Sequence, residues 1–540
     1  MQVLLIYPLF PKTFWSYDKI LELVDRQVLL PPLGLITVAG ILPQEWHFTL
    51  VDRNVRAVTE AEWESADLVI ISAMIVQKSD LIHQIQQAKK RGKLVAVGGP
   101  YPTSVPQEVL KAGADFMILD EGEITLPLFV EAFQKGETSG IFRASEKPDI
   151  TLTPIPRYDL LELDAYDSMS VQFSRGCPFQ CEFCDIITLY GRKPRTKTPA
   201  QLLKELDFLY ELGWRRGIFM VDDNFIGNKR NVKLLLKELK VWQAEHQYPF
   251  RFNTEASVDL AADEELMDLM VKCNFDAVFL GIETPDEDSL QLTKKFQNTR
   301  SSLSDSIDKI MRIGLRPMAG FIIGFDGEKK GAGERIVEFV EQAAIPTAMF
   351  GMLQALPNTA LWNRLEREKR LLNNPNAKQD INQTTLMNYI PTRPIEEIAQ
   401  EYISAFWTLY EPERYLDRVY RCFLKMAPSP CHTPLKMPEF VDLKALAIVI
   451  WRQGIKRRTR WKFWHHLFGI FRQNPGVWEH YLTTCAHNEH FLEYRQAVRE
   501  QIEAQLAEFI ARRTAQLNPT VGTDAEFSTI ETAFIQNPKG

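Results

Sequence analysis

Short, nearly continuous apolar runs recur along the N-terminal part of the chain, at 1–8, 48–51, 68–72, 94–97 and 116–119. Runs of this length without polar alternation predict strands buried on both faces of a parallel sheet. Between them, apolar positions at helical spacing predict helices over 33–42 and 79–91. Strand and helix in alternation predict a doubly wound α/β domain over 1–146, and ligands of such sheets bind beyond the carboxyl ends of the strands.

The pattern then changes. Pro148, Pro154 and Pro156 stand among polar residues and predict an extended linker over 147–163. From 164 to 376, helical stretches at 199–212 and 231–246 alternate with apolar runs at 217–221, 251–254, 277–281, 316–323 and 347–353. Repeated βα units predict a parallel barrel, whose functional groups belong at the carboxyl ends of its strands. Helical periodicity dominates 377–517, notably 395–409 and 491–512, and predicts an α-rich domain. Gly, Thr, Pro and Ser with few aromatics predict a flexible tail over 518–540.

Candidate chemistry centres on Ser174-Arg175-Gly176-Cys177-Pro178-Phe179-Gln180-Cys181-Glu182-Phe183-Cys184, placed just after the alternation Met169, Val171, Phe173. Closely spaced thiolates suit an iron–sulfur cluster or zinc. A structural zinc site takes four ligands, and no fourth Cys or His is nearby in sequence. Three cysteines leave one iron of a [4Fe-4S] cluster open to an outside ligand.

These residues resemble the radical SAM enzymes, whose signature is CxxxCxxC with an aromatic before the third Cys. The resemblance implies a partial (β/α)6 barrel in which Cys177, Cys181 and Cys184 hold a [4Fe-4S] cluster. Its open iron chelates S-adenosylmethionine (SAM), and one-electron reduction releases a 5'-deoxyadenosyl radical. A ferredoxin or flavodoxin is the implied reductant. Acceptors for the SAM amine and ribose are expected among Asp222, Asp223, Glu255 and Glu283. The resemblance implies that the Asp222 region holds the methionyl amine, and that the segment from Gly320 through Gly324 to Phe325 stacks on adenine, with Phe183 nearby.

The strand ends of the first domain carry Asp52-Arg53-Asn54, Ser72-Ala73-Met74, Gly98-Gly99-Pro100 and Asp120-Glu121-Gly122-Glu123. In order and position they resemble the Rossmann-like cobalamin (B12)-binding domain, with its DxHxxG, SxL and GG pattern. That implies a cobalamin site built from Asp52, Asn54, Ser72, Gly98, Gly99 and Glu121. Asn54 stands where the lower-axial histidine would be, so the implied form is base-off cobalamin without a protein imidazole on cobalt. The alternative is a plain Rossmann-like accessory domain whose strand-end polar residues cap helices.

Composition narrows the rest. The 540 residues exceed one core, and 45% hydrophobic content is ordinary for a globular protein. A net charge of -7 gives no global nucleic-acid signal. No apolar run of membrane-spanning length occurs and the N-terminus does not read as a secretory signal. Seven cysteines, three of them clustered, argue for a reducing cytoplasm rather than a disulfide framework. Cys422, Cys431 and Cys485 are expected as buried structural thiols. The segment 451–471 mixes cations with large aromatics, which suits a core helix with a solvated basic face, an anionic membrane surface, or phosphate and base contacts.

The domain order resembles the cobalamin-dependent radical SAM methyltransferases, with Pro31-Pro32-Leu33-Gly34-Leu35 and Ser72-Ala73-Met74-Ile75-Val76-Gln77 nearest to the hopanoid C-2 methylase branch. That implies methylation of an unactivated carbon in a hydrophobic small molecule, in the cytoplasm or peripherally at the inner membrane face. A ring-forming cyclase of tetrapyrrole biosynthesis shares the order and is the enzymatic alternative. A cobalamin sensor would have no use for the three cysteines, and a methylthiotransferase would carry cysteines before Cys177.

Overall fold

Two six-stranded parallel sheets form the framework of the computed structural model, which describes residues 1–372, 381–431 and 440–517. The first sheet holds β1 (Gln2–Tyr7), β2 (His47–Asp52), β3 (Leu68–Ser72), β4 (Leu94–Gly98), β5 (Phe116–Ile118) and β6 (Gly140–Phe142), in the order β2-β1-β3-β4-β5-β6. Successive side chains of a strand point to opposite faces. Accordingly Leu4 and Ile6 enter one buried cluster while Val3 and Leu5 enter another, on the far side of the sheet. The order in which strands are added reverses between β1 and β3, which opens a crevice at their carboxyl ends. Strand β6 has no counterpart in the apolar pattern, because it is three residues long and its Ile141 is 59% exposed at the sheet edge.

The second sheet runs β14-β13-β12-β11-β10-β7, consecutive in sequence apart from a small inserted hairpin. Its strands are β7 (Ser168–Val171), β10 (Gly217–Met220), β11 (Arg251–Ala256), β12 (Phe275–Glu283), β13 (Arg316–Ile323) and β14 (Thr347–Met352). Helices Pro199–Glu211, Lys229–Glu245, Glu264–Lys272, Leu303–Arg312 and Ala332–Gln342 follow five of these strands. This is a six-stranded open parallel barrel. The inserted hairpin pairs β8 (Ser174–Arg175) antiparallel with β9 (Arg195–Thr196) and brackets the three-cysteine loop. Two-residue strands leave no periodicity to read.

The stretch expected as an extended linker instead packs as three 3-10 turns, Ile150–Leu152, Tyr158–Leu160 and Leu163–Ala165. Tyr158 is fully buried and its hydroxyl donates to the Ser170 carbonyl at 2.9 Å, so this stretch belongs to the barrel's core cluster.

Beyond the barrel lie the helices Ile395–Leu409, Pro412–Lys425, Phe440–Trp451, Arg460–Gln473 and Trp478–Leu517. The helix expected at 491–512 is part of that last element, 40 residues long, whose polar opening Thr483-Thr484-Cys485-Ala486-His487-Asn488 hides the helical pattern. The loop after β1 reaches this region: Phe14 packs on Phe406, Tyr410, Phe491 and Tyr494, and His490 Nε2 lies 2.9 Å from the Phe14 carbonyl. Cys422 and Cys485 are buried, whereas Cys431 is half-buried with its Sγ 3.3 Å from the Val271 carbonyl. The tail expected at 518–540 lies outside the described residues. Among the described residues no helix is long and apolar enough to cross a membrane.

Candidate functional site

The cysteine loop leaves the carboxyl end of β7 and is held from two sides. Asp222, just past β10, is buried and accepts from the Phe173 N–H at 2.8 Å, the Ser174 N–H at 2.7 Å and the Ser174 hydroxyl at 2.6 Å. Its neighbour Asp223 accepts from the Gly176 N–H at 3.1 Å. Gly176 itself has φ +93°, and a Cβ there would stand 2.8 Å from the Gly191 carbonyl oxygen. Only glycine meets both conditions at low cost, which accounts for the residue before the first cysteine.

From the other sheet, Glu121 accepts from Arg175 Nη1 at 3.0 Å and from Arg195 Nη2 at 2.8 Å, and Glu123 lies 2.8 Å from Arg175 Nη2. The cluster loop is thereby tied to the carboxyl end of β5. Glu121, expected at the cobalamin site, does line the crevice, but both its oxygens are engaged by these arginines.

The thiols lie at the barrel mouth. Asn224 Nδ2 approaches Cys177 Sγ at 4.0 Å and Gln297 Nε2 approaches Cys181 Sγ at 3.7 Å, weak donors of the kind that tune a cluster. Burial raises the Cys177 and Cys184 thiols, and the three sulfurs are near enough that each of these two also feels Cys181. Among the described residues no three His, Cys, Asp or Glu side chains converge on one ion. A cubane spreads its ligands over separate irons, so the donor set and loop fit a [4Fe-4S] cluster held by three thiolates.

The acceptors expected for SAM divide by environment. Asp222 is used up as a brace for the loop, with its carboxyl pushed up to about 7 chiefly by burial. Asp223, pushed up to about 6 by burial, keeps acceptor capacity beyond its bond to Gly176. The Glu255 carboxyl makes no hydrogen bond or ion pair among the described residues and faces a large cavity; burial first, then the charges of Asp223 and Glu283, push it to about 7. Glu283, at φ +65° beside a register shift in β12, is ion-paired to buried Lys295. Phe183 and Phe325 have ring centroids 5.8 Å apart. Gly320 pairs with Gly281 across the strands, and Gly324 accepts from the Tyr389 hydroxyl at 3.0 Å.

At the first sheet, Ser72, Gly98 and Gly99 line the crevice and Asp52 does not. Asp52 is buried and accepts from the Asn54 N–H, the Asn54 side-chain amide and the Tyr166 hydroxyl at 2.9, 2.7 and 3.1 Å. Asn54 also accepts from the Phe10 N–H at 2.8 Å, so its amide fastens the loop after β1. Gly99 has φ +103°, and a Cβ would stand 2.7 Å from Ser72 Oγ. The bare backbone of Gly98-Gly99 beside Ser72 is a surface that a bulky planar ring can approach, so these residues fit a corrinoid. A cavity of about 1920 Å³ joins this crevice to the barrel lumen.

Sequence reasoning missed Arg175, Gln297 and Lys295 as parts of the site. Arg175 stood inside the quoted motif, but its carboxylate partners are far away in sequence. Gln297 and Lys295 follow β12 with no local signal.

Residues 23–130 match the B12 binding domain, 171–340 the Radical SAM superfamily and 359–504 a domain of unknown function. An uncharacterized methyltransferase of Synechocystis sp. is 76% identical over 95% of this chain and 95% of its own length. The hopanoid C-2 methylase of Rhodopseudomonas palustris is 32% identical over 93% of this chain and 95% of its own. Among solved structures, the radical S-adenosylmethionine methyltransferase TsrM from Kitasatospora setae, with cobalamin and [4Fe-4S] cluster bound, superposes with TM-score 0.57 at 14% identity over 92% of this chain and 99% of that one. That likeness speaks for the fold. Similarity over nearly the whole length, with both domains in the same order, shows that the chain belongs to the cobalamin-dependent radical SAM methyltransferases, whose cofactors are a [4Fe-4S] cluster, SAM and cobalamin.

Proposed function

We propose that this enzyme methylates an unactivated carbon of a hydrophobic, hopanoid-like small molecule. The observation that carries the reading is the cavity joining the Gly98-Gly99 crevice to the barrel lumen beside Glu255, lined by apolar side chains such as Leu30, Val38, Phe279 and Met318. A substrate there would lie between the cobalamin surface and the SAM surface. The relative named hopanoid C-2 methylase supports the substrate class.

In this reading Cys177, Cys181 and Cys184 hold the cluster, and Asp223 and Glu255 accept from the SAM amine and ribose. Phe183, Phe325 and the Gly320 to Gly324 backbone flank adenine, while Ser72, Gly98 and Gly99 seat the corrinoid. The cluster with SAM supplies one-electron chemistry and a methyl group, and the corrinoid carries that methyl. The chain's own part is to bind, to orient and to exclude water. A ferredoxin or flavodoxin is the reductant.

A water-insoluble substrate calls for membrane contact, and the helix Arg460–Gln473 offers it. Trp461, Phe468 and Phe471 share one face at helical spacing and are 74%, 68% and 48% exposed. Of the cations expected to help, Arg457 is paired with Glu489 and Lys462 with Asp417, which leaves Arg458 and Arg460 for anionic lipid.

The test is anaerobic turnover of the reconstituted holoenzyme with a hopane-skeleton triterpene in detergent, read by mass spectrometry. A product heavier by one methylene is expected. SAM cleavage without any methylated triterpene would overturn the substrate class, and reductive cleavage surviving the change of all three cysteines to Ala would overturn the cluster assignment.

A further inference from the structure

The lumen does not end at the SAM level. Its lining continues from Glu255 past Phe279 and Met318 to the amino ends of the barrel strands, where Arg216, Arg251 and Arg316 stand just before β10 and at the starts of β11 and β13. The residues facing them from outside the barrel are Tyr17, from the loop after β1, and His480 and His487 of the last helix. Barrel chemistry sits at the opposite, carboxyl ends, so stability alone would favour a closed apolar floor here.

The floor is instead polar and incompletely satisfied. Arg316 Nη1 and His487 Nδ1 are both buried without a hydrogen-bond partner among the described residues. The two groups are neighbours, since the Arg316 charge, after burial, helps hold the His487 pKa down to about 3. None of the three arginines has a carboxylate oxygen within 4 Å among the described residues; Arg316 and Arg216 are half-buried and Arg251 is exposed, so the unmade donor is Arg316 Nη1. Of the carboxylates in the same lining, Asp276 lies 3.8 Å from His480 Nδ1, an imidazole that burial keeps neutral with its pKa lowered to about 4, and burial raises the Asp167 carboxyl against the pull of Arg251 and Arg26. A buried guanidinium donor left unmade is costly, so such a group points to a partner that binds there. Guanidinium forks match the oxygens of carboxylate and phosphate.

We infer that the floor of the barrel is an oxyanion site, in which Arg316, with Arg251 and Arg216 beside it, receives the acidic end group of an amphiphilic substrate whose apolar body fills the lumen above. The inference rests on the reading of the lumen as the substrate chamber and adds a carboxylate- or phosphate-bearing end to the hydrophobic class. One consequence is registration: an end group fixed at the floor sets which carbon reaches the level of Glu255.

The experiment is isothermal titration calorimetry on the reconstituted holoenzyme with dodecanoate and with dodecanol, each with and without inorganic phosphate. The native protein is expected to bind the acid at least tenfold more tightly than the alcohol, with phosphate competing against the acid alone. Arg316→Gln should bring the two affinities together by weakening only the acid, and Arg316→Lys should keep part of the preference. Should Arg316→Gln fail to fold by circular dichroism, Arg251→Gln at the more open position is expected to narrow the preference in the same direction. Equal affinities in the native protein, no binding of either probe, or a preference that survives both Gln variants would overturn the site. These outcomes are independent of whether a triterpene is methylated, so failure here and failure of the proposed activity are told apart.

Discussion

Glu121 accepts from Arg175 at 3.0 Å, and this contact joins the carboxyl end of β5 in the first sheet to the residue two places before Cys177, in the hairpin inserted into the barrel. The face that fits cobalamin and the loop that fits the cluster are therefore fixed to one another by side chains rather than by the intervening chain.

Removing Arg175 should cost stability as a buried ionic group does. Arg175→Met leaves Glu123 without its guanidinium and Glu121 with Arg195 and the more distant Lys147, 3.9 Å away. Breaking a buried pair from one side costs about 3–5 kcal/mol, against less than about 1 for exposed pairs. Urea unfolding of the variant is expected to show the larger loss, and a change within the exposed-pair range would mean that the junction is solvated.

Gly176→Ala should impair cluster loading while leaving the fold intact. The added methyl needs φ near +93° and would stand 2.8 Å from the Gly191 oxygen, so the loop must shift just before Cys177. The expected outcome is a clear fall in iron and sulfide per chain after reconstitution, with unchanged far-ultraviolet dichroism. Native iron content would contradict the geometry.

Glu255 ties stability to pH. Burial lifts its folded-state pKa from 4.5 to about 7, so between those values the folded protein binds more protons than the unfolded one. Its contribution therefore falls as pH rises from about 4.5 to 7 and is constant above. Glu255→Gln removes this slope: at pH 8 the variant should be more stable than the native apoprotein, and at pH 4 the two should differ little. Parallel stability curves for the two proteins would refute the buried, unpartnered state of Glu255.

Cobalt should lack a protein imidazole. Asn54 spends its amide on Asp52 and on Phe10, holding the loop after β1. Electron paramagnetic resonance of the cob(II)alamin-loaded protein is expected to lack nitrogen superhyperfine splitting from a histidine, and its observation would overturn the base-off form. Asn54→His breaks both contacts and should lower thermal stability rather than install a ligand.

Membrane attachment should depend on rings as well as charge. Co-sedimentation with anionic vesicles is expected to fall for Trp461→Ser with Phe468→Ser. A comparable loss is expected for Arg458→Glu with Arg460→Glu, since each cation is worth about 1 kcal/mol at such a surface and each reversal also adds an anion that the surface repels. Equal pelleting of all variants, or none by any, would return the helix Arg460–Gln473 to an ordinary solvated element.

The sequence by itself determined what depends on neighbours along the chain. Apart from the short edge strand β6, the apolar pattern marked the strands of both sheets to within a residue or two, because burial on both faces demands continuous hydrophobicity. Cys177, Cys181 and Cys184, the proposed cluster ligands, stand out in the sequence because their spacing is local, and Gly98-Gly99, proposed at the corrinoid, because a close approach to Ser72 needs bare backbone. What only the tertiary structure decided are the partners of charged and polar groups. Asp222 was expected to meet the SAM amine, yet it is filled by the Phe173 and Ser174 donors. Glu121 was expected at cobalamin, yet it is held by Arg175 and Arg195. A buried carboxylate must be satisfied by whichever donors the fold brings within about 3 Å, and those donors lie 48 to 74 residues away in sequence, beyond the reach of any local pattern. The arginines at the barrel floor make the same point in reverse: each reads as an ordinary surface cation until the six strands line up and gather them at one end.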